Sequence, residues 1–142
     1  MSASDAFEQA LALLYFEATN WANVADNAAS APLTNIENSL HTADPTDSGD
    51  QTSNEIAYTS YAREPVARTS GGWDTTGGVS TLAANLDFDA GTGGSGTATH
   101  WGLGTANSGS GVLHLSGTIT PNIVCGDGVT PRLTTSSAVT IT

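Results

Sequence analysis

The chain has 142 residues, of which 38% are hydrophobic and only 12% charged. Its polarity comes from Thr, Ser, Asn and sixteen glycines rather than from ions, which suits β-structure punctuated by turns and not a disordered chain. Fourteen carboxylates face three arginines and no lysine, for a net charge of −11; this argues against nucleic acid and anionic membrane surfaces as partners, because both require clustered cations.

The first predicted element is a helix over residues 5–18. Phe7, Leu11, Leu14, Tyr15 and Ala18 recur at three- and four-residue spacing and make one apolar stripe. Ser2 or Ser4 can cap its start, and Asp5 and Glu8 complement the dipole of the first turn. Leu13 lies off the stripe, so a second apolar surface is available, either for the chain's own core or for a partner. No positively charged segment precedes this stretch, and no run reaches the length of a membrane span; neither a secretory signal nor a membrane helix is expected.

Residues 20–32, rich in Ala and Asn, read as a connection. Short candidate strands follow: Asn35 to His41, then Ile56 to Arg68 as two strands with a bend or edge at Pro65. The polar segment Asp44 to Asp50 between them reads as an exposed loop. Val79 to Phe88 alternates with Leu82, Ala84, Leu86 and Phe88 on one face. After the turn at Gly91 to Gly96, Thr97, Thr99, Trp101 and Leu103 share a face. Val112 to Ile119 then carries Leu113 and Leu115 on one side and His114 on the other, and Ile123 to Cys125 and Leu133 to Ile141 complete the set. The expected fold is mainly β: an antiparallel β-sandwich or jelly-roll-like domain of seven to nine short strands with one N-terminal α-helix. It forms a single domain over residues 1–142, with the helix at 5–18 and the β-domain over 35–142.

No motif for chemistry stands out. His41, His100 and His114 lack the spacing of a metal site, and Asp44, Asp47 and Asp50 do not follow a calcium-loop pattern. Gly91 to Gly96 lacks the Lys-Ser/Thr ending of a phosphate loop, and no Gly-x-Ser-x-Gly stands at a strand-to-helix elbow. Cys125 follows Ile123 and Val124 without a nearby base, so it reads as a buried small hydrophobe rather than a nucleophile. Trp21, Trp73, Trp101, Tyr58 and Tyr61 offer material for a sugar platform, with Trp101 read as core and Trp73, after Gly71-Gly72, as exposed at a turn. No catalytic residue, metal or cofactor is expected.

Leu40-His41-Thr42-Ala43-Asp44-Pro45, Tyr58-Thr59-Ser60-Tyr61-Ala62-Arg63, Val66-Ala67-Arg68 and Gly71-Gly72-Trp73 occur here in order. Thr99-His100-Trp101-Gly102-Leu103-Gly104-Thr105-Ala106 and Gly128-Val129-Thr130-Pro131 follow, and the opening helix precedes Asn23-Val24-Ala25-Asp26-Asn27-Ala28-Ala29. Through these segments the chain resembles a small tailed-phage protein family usually labelled tail fibre or minor virion protein. Glu64-Pro65 departs from that pattern, and the match is looser from Asp74 to Gly96. The resemblance implies a non-enzymatic virion structural protein and brings no catalytic residues with it.

With no coiled coil or fibre-shaft repeat, the expected role is a capsid decoration (cement) protein that binds the phage major capsid protein. A tail fibre or tail-tip protein contacting other tail proteins is the alternative, and a glycan-binding adhesin module a further one. The protein is then made in the host cytoplasm and resides in the virion, on the capsid exterior or the tail. Few surface ions favour a homo-oligomer, with a trimer preferred. Phe7, Leu11, Leu13, Leu14, Arg63 and Arg68 are the candidate subunit or capsid contacts, and one of the two arginines is expected to pair with a carboxylate across a subunit boundary.

Overall fold

A computed structural model describes residues 3–141. Among the described residues there is one helix, α1 (Asp5–Glu17), and nine strands: β1 (Asn35–His41), β2 (Glu64–Ala67), β3 (Trp73–Thr76), β4 (Val79–Leu82), β5 (Leu86–Asp87), β6 (Ser95–Gly104), β7 (Leu113–Gly126), β8 (Arg132–Leu133) and β9 (Ala138–Thr140). The class is the expected one, mainly β behind an N-terminal helix. The strands form sheets of order β2-β1-β6-β7, β3-β4-β9 and β5-β8. The chain divides into two compact units, residues 1–35, 66–85 and 133–142 in the first, residues 36–65 and 86–132 in the second.

In the first unit, α1 begins at Ser4, whose hydroxyl accepts from the Phe7 amide, and ends at Ala18 in the left-handed conformation. The other expected cap, Ser2, lies outside the described residues. The buried face is not the expected stripe: Ala12 and Phe16 are sealed while Phe7 is 46% exposed. Phe16 packs on Trp73 with ring centroids 4.7 Å apart. Trp73 is therefore core and opens a strand, correcting the exposed turn expected after Gly71-Gly72. Gly77 and Gly78, at φ 62° and 75°, make the two-residue turn in which β3 meets β4 with Thr76 opposite Val79. Gln9 secures that hairpin, donating to the Thr75 carbonyl at 3.3 Å and accepting from the Gly78 amide at 2.9 Å.

The second unit is built on β1, β6 and β7. Strand β1 is buried from Ile36 to His41, as a strand covered on both faces must be. It runs antiparallel to β6 with Leu40 opposite Trp101 and Ser39 opposite Gly102. Direct partners point the same way, so Asn38, Leu40, Trp101 and Leu103 share one face, and Glu37, Ser39, His41, His100, Gly102 and Gly104 the other. Two expected strands, Val112 to Ile119 and Ile123 to Cys125, fuse into the single strand β7. Its register against β6 shifts twice. One shift sets Leu115 opposite Leu103 but Leu113 opposite Gly104, which turns the two leucines to opposite faces instead of one. The segment expected as strands from Ile56 to Arg68 is extended only over β2, and Pro65 sits in an edge strand, where its missing N–H costs no ladder bond.

Candidate functional site

The polar face of β1 carries a serine and a histidine two residues apart, and a strand's alternation points both the same way. Ser39 Oγ lies 2.8 Å from His41 Nε2, and His41 Nδ1 lies 2.8 Å from the Ser53 carbonyl oxygen. That carbonyl can only accept, so Nδ1 carries the ring proton, and the Ser39 hydroxyl has two acceptors, Nε2 and the Gly102 carbonyl at 3.3 Å. Burial holds the ring's pKa below its ordinary value, against the raising effect of the Ser53 hydrogen bond and Glu55. The neutral imidazole is thus poised as a base toward a hydroxyl, the first half of a nucleophile's activation. Both side chains are fully buried. The room they occupy exists because β6 presents glycine there: a Cβ on Gly102 would stand 2.5 Å from His41 Nε2 and 2.6 Å from Ser39 Oγ. With the hydroxyl sealed under packed backbone, this pair holds strands together and offers no reacting atom to a substrate.

Beside it, Arg63 makes a two-pronged pair with Glu55, Nε to Oε1 and Nη2 to Oε2 both at 2.7 Å. Its remaining donors reach the Ala106 and Gly109 carbonyls, each at 2.8 Å. Tyr61 Oη accepts from the Leu40 amide and donates to Glu55 Oε1, both at 3.0 Å, and burial pushes its phenol well above the ordinary range. Gln51, fully buried, accepts from the Thr105 and Ala106 amides at 3.0 and 2.9 Å. Arg63 and Gln51 therefore fix the loop from Thr105 to Gly111. Glu37, also buried, has its carboxyl raised by burial, an effect that Arg63 opposes.

Arg68, in the first unit, does different work. Its guanidinium donates to the Leu14 and Tyr15 carbonyls, each at 2.6 Å, to the Leu33 carbonyl at 2.7 Å and to Asn27 Oδ1 at 3.0 Å. Helix α1 has no basic residue in its last turn, so an arginine distant in sequence satisfies the terminal carbonyls and complements the negative end of the dipole. Arg63 thus pairs with Glu55 of its own chain, and Arg68 with backbone carbonyls of its own unit. Leu11, Leu13 and Leu14 are half-buried. Phe7 meets Trp21 edge-on at 5.0 Å, near a shallow cavity of about 410 Å³ lined by Trp21, Asn23, Val24 and Asp26 among others.

Composition and spacing did not single out Ser39, Gln51 or Glu55, and pointed to Tyr61 as sugar-platform material rather than as the partner of Leu40 and Glu55. The available signal was the run Gly102-Leu103-Gly104, which clears one strand face for other side chains to fill. Among the described residues, no group of three His, Cys, Asp or Glu side chains is placed to hold a metal. Asp50 is tied by its own loop, accepting from the Thr52 amide at 2.8 Å and hydroxyl at 2.7 Å, and these bonds lower its pKa.

With Ser39, His41, Arg63 and Arg68 committed to the scaffold, comparison with known families becomes decisive. The family model described as podophage GP4 fiber I protein gp80 matches residues 3–141. The chain belongs to this family. No curated protein matches it. Membership in a phage fibre family makes it a virion structural protein, and the match runs through both compact units rather than stopping at either.

Proposed function

We propose that the protein is a non-enzymatic component of a podophage tail fibre. The observation that carries this reading is the fibre-family match across residues 3–141, which favours the tail over the capsid-decoration role expected from the small β-rich fold. The burial of Ser39 and His41 supports a scaffold without catalysis. Surface chemistry supports it as well: fourteen carboxylates against three arginines leave an acidic exterior suited to docking on basic neighbouring proteins.

Immunogold labelling of intact particles, combined with quantitative mass spectrometry against the major capsid protein, tests the assignment. Label confined to one vertex and a low copy number are expected. Label distributed over the whole shell, at a copy number comparable to the capsid protein, returns the molecule to the decoration role.

A further inference from the structure

The segment after α1 folds back on itself into a closed loop. The Trp21 amide donates to the Ala25 carbonyl at 2.7 Å, and the Val24 and Ala25 amides both donate to the Trp21 carbonyl at 3.0 Å. Asn23 takes the left-handed conformation, φ 61°, which its short amide side chain tolerates better than most. Asn20 Oδ1 accepts from the Asn27 amide at 3.0 Å, and Asn27 Oδ1 accepts in turn from Arg68 at 3.0 Å. Phe7 braces the Trp21 ring from α1. The hydrogen bonds that shape the loop thus use main-chain atoms and two asparagine amides, not the side chains of Trp21, Asn23 or Asp26. Those three residues, with Asn20 and Val24 among others, line the cavity of about 410 Å³. Trp21 is half-buried there and Asp26 is exposed.

An indole ring and a carboxylate in one cavity suit a planar cation. A guanidinium stacks on the ring and pairs with the acid at once, which a compact ammonium does less well. Charge decides where that cation comes from. Residues 1–35 carry Asp5, Glu8, Glu17 and Asp26 and no lysine or arginine, so anionic ligands are disfavoured. A second copy does not supply the cation either. The chain has no lysine, and its three arginines are engaged internally: Arg63 with Glu55, Arg68 with carbonyls, Arg132 with Asp87. We propose that the cavity receives an arginine side chain from a basic segment of a neighbouring virion protein, its guanidinium stacked on Trp21 and paired with Asp26. Val24, 66% exposed, and Phe7, 46% exposed, supply apolar surface beside it for the flanking residues of that segment. The inference rests on the reading of the chain as a virion component that docks on basic neighbours, and holds whether that neighbour lies in the tail or the shell.

Heteronuclear NMR on the full chain tests this, with a capped peptide of alternating glycine and arginine as the probe. Matched peptides carrying lysine or citrulline in place of arginine, and maltose as a neutral sugar, are the comparisons. The arginine peptide is expected to shift the Trp21 indole N–H and the amides of residues 20–26, and to bind several-fold more tightly than the other two peptides. Asp26→Asn and Trp21→Leu should each weaken it several-fold. Asp74→Asn, which removes the same charge at an exposed position elsewhere in the same unit, should not. Equal losses from Asp26→Asn and Asp74→Asn, or equal binding of the arginine and lysine peptides, mean general attraction to an acidic surface and overturn the proposal. It is also overturned if maltose shifts these amides and the arginine peptide does not, which makes the cavity a sugar subsite, or if the arginine peptide shifts none of them up to its solubility limit. Should Trp21→Leu unfold, Asp26→Asn decides alone, since the Asp26 carboxylate makes none of the bonds that shape the loop. These outcomes do not depend on where label falls on the particle, so the proposal and the fibre assignment fail separately.

Discussion

Arg63 donates four hydrogen bonds, two to Glu55 and two to loop carbonyls, and its side chain is only 3% exposed. Arg63→Ala leaves Glu55 largely buried without its cation and frees the loop at Ala106 and Gly109. A loss of about 3 kcal/mol is expected in urea unfolding, and Arg63→Lys recovers only part of it, because an ammonium cannot reproduce the two-pronged geometry. His41 supplies a pH dependence. Its pKa in the folded state lies below the 6.5 of the free side chain, so the unfolded chain takes up the proton first as pH falls. Its contribution is fully present above about 6.5 and is lost as pH drops below that toward the folded value. Melting temperatures between pH 5 and 7.5 should fall on the acid side, and His41→Asn should flatten that slope whatever its own stability. Cys125 was legible at this scale: the apolar Ile123-Val124 before it marks burial, and it is 1% exposed with its thiol pKa raised by burial. The Glu55–Arg63 pair was not legible, because residues 56–62 read as a strand but form none in the structure, and nothing in their spacing brings the two side chains together.

Strands with clean alternation were readable as elements. Asn35 to His41 is a strand as expected, and Thr97 to Leu103 extends by two residues at its start and one at its end. Val79 to Phe88 also alternates, yet the strand breaks after Leu82 and resumes only at Leu86, since side-chain period carries no information about where a ladder loses its partner. The bulges in β7 are likewise silent in sequence, because a register shift depends on β6 and not on β7 alone. Glycines on these strands separate two roles. At Gly102 an added methyl would collide with His41 and Ser39, whereas at Gly117 nothing lies within 4 Å. Gly102→Ala is expected to cost about 1–3 kcal/mol by overpacking. Gly117→Ala should change stability by under about 0.5 kcal/mol. Chemical denaturation of the two variants reads the contrast, and equal effects would mean that β6 can shift to make room at Gly102.

At the scale of the whole molecule, the dominant feature is charge. A copy carrying −11 repels another copy at any distance within the screening length, about 8 Å in physiological salt and longer in dilute buffer. An uncharged contact between copies would gain its association energy from hydrogen bonds and apolar burial, neither of which salt screens. The two contributions therefore respond differently to ionic strength. Raising sodium chloride from about 20 mM to about 500 mM removes most of the repulsion and leaves uncharged contacts intact, so self-association through such contacts should strengthen with salt. An interface built from ion pairs between copies behaves in the opposite way, weakening as the pairs are screened. With its arginines already bound inside the chain, the protein has few cations left for such pairs. Sedimentation velocity across that salt series distinguishes the cases: tighter association at high salt fits an uncharged seam between like-charged copies, and looser association places the contact on charged surfaces.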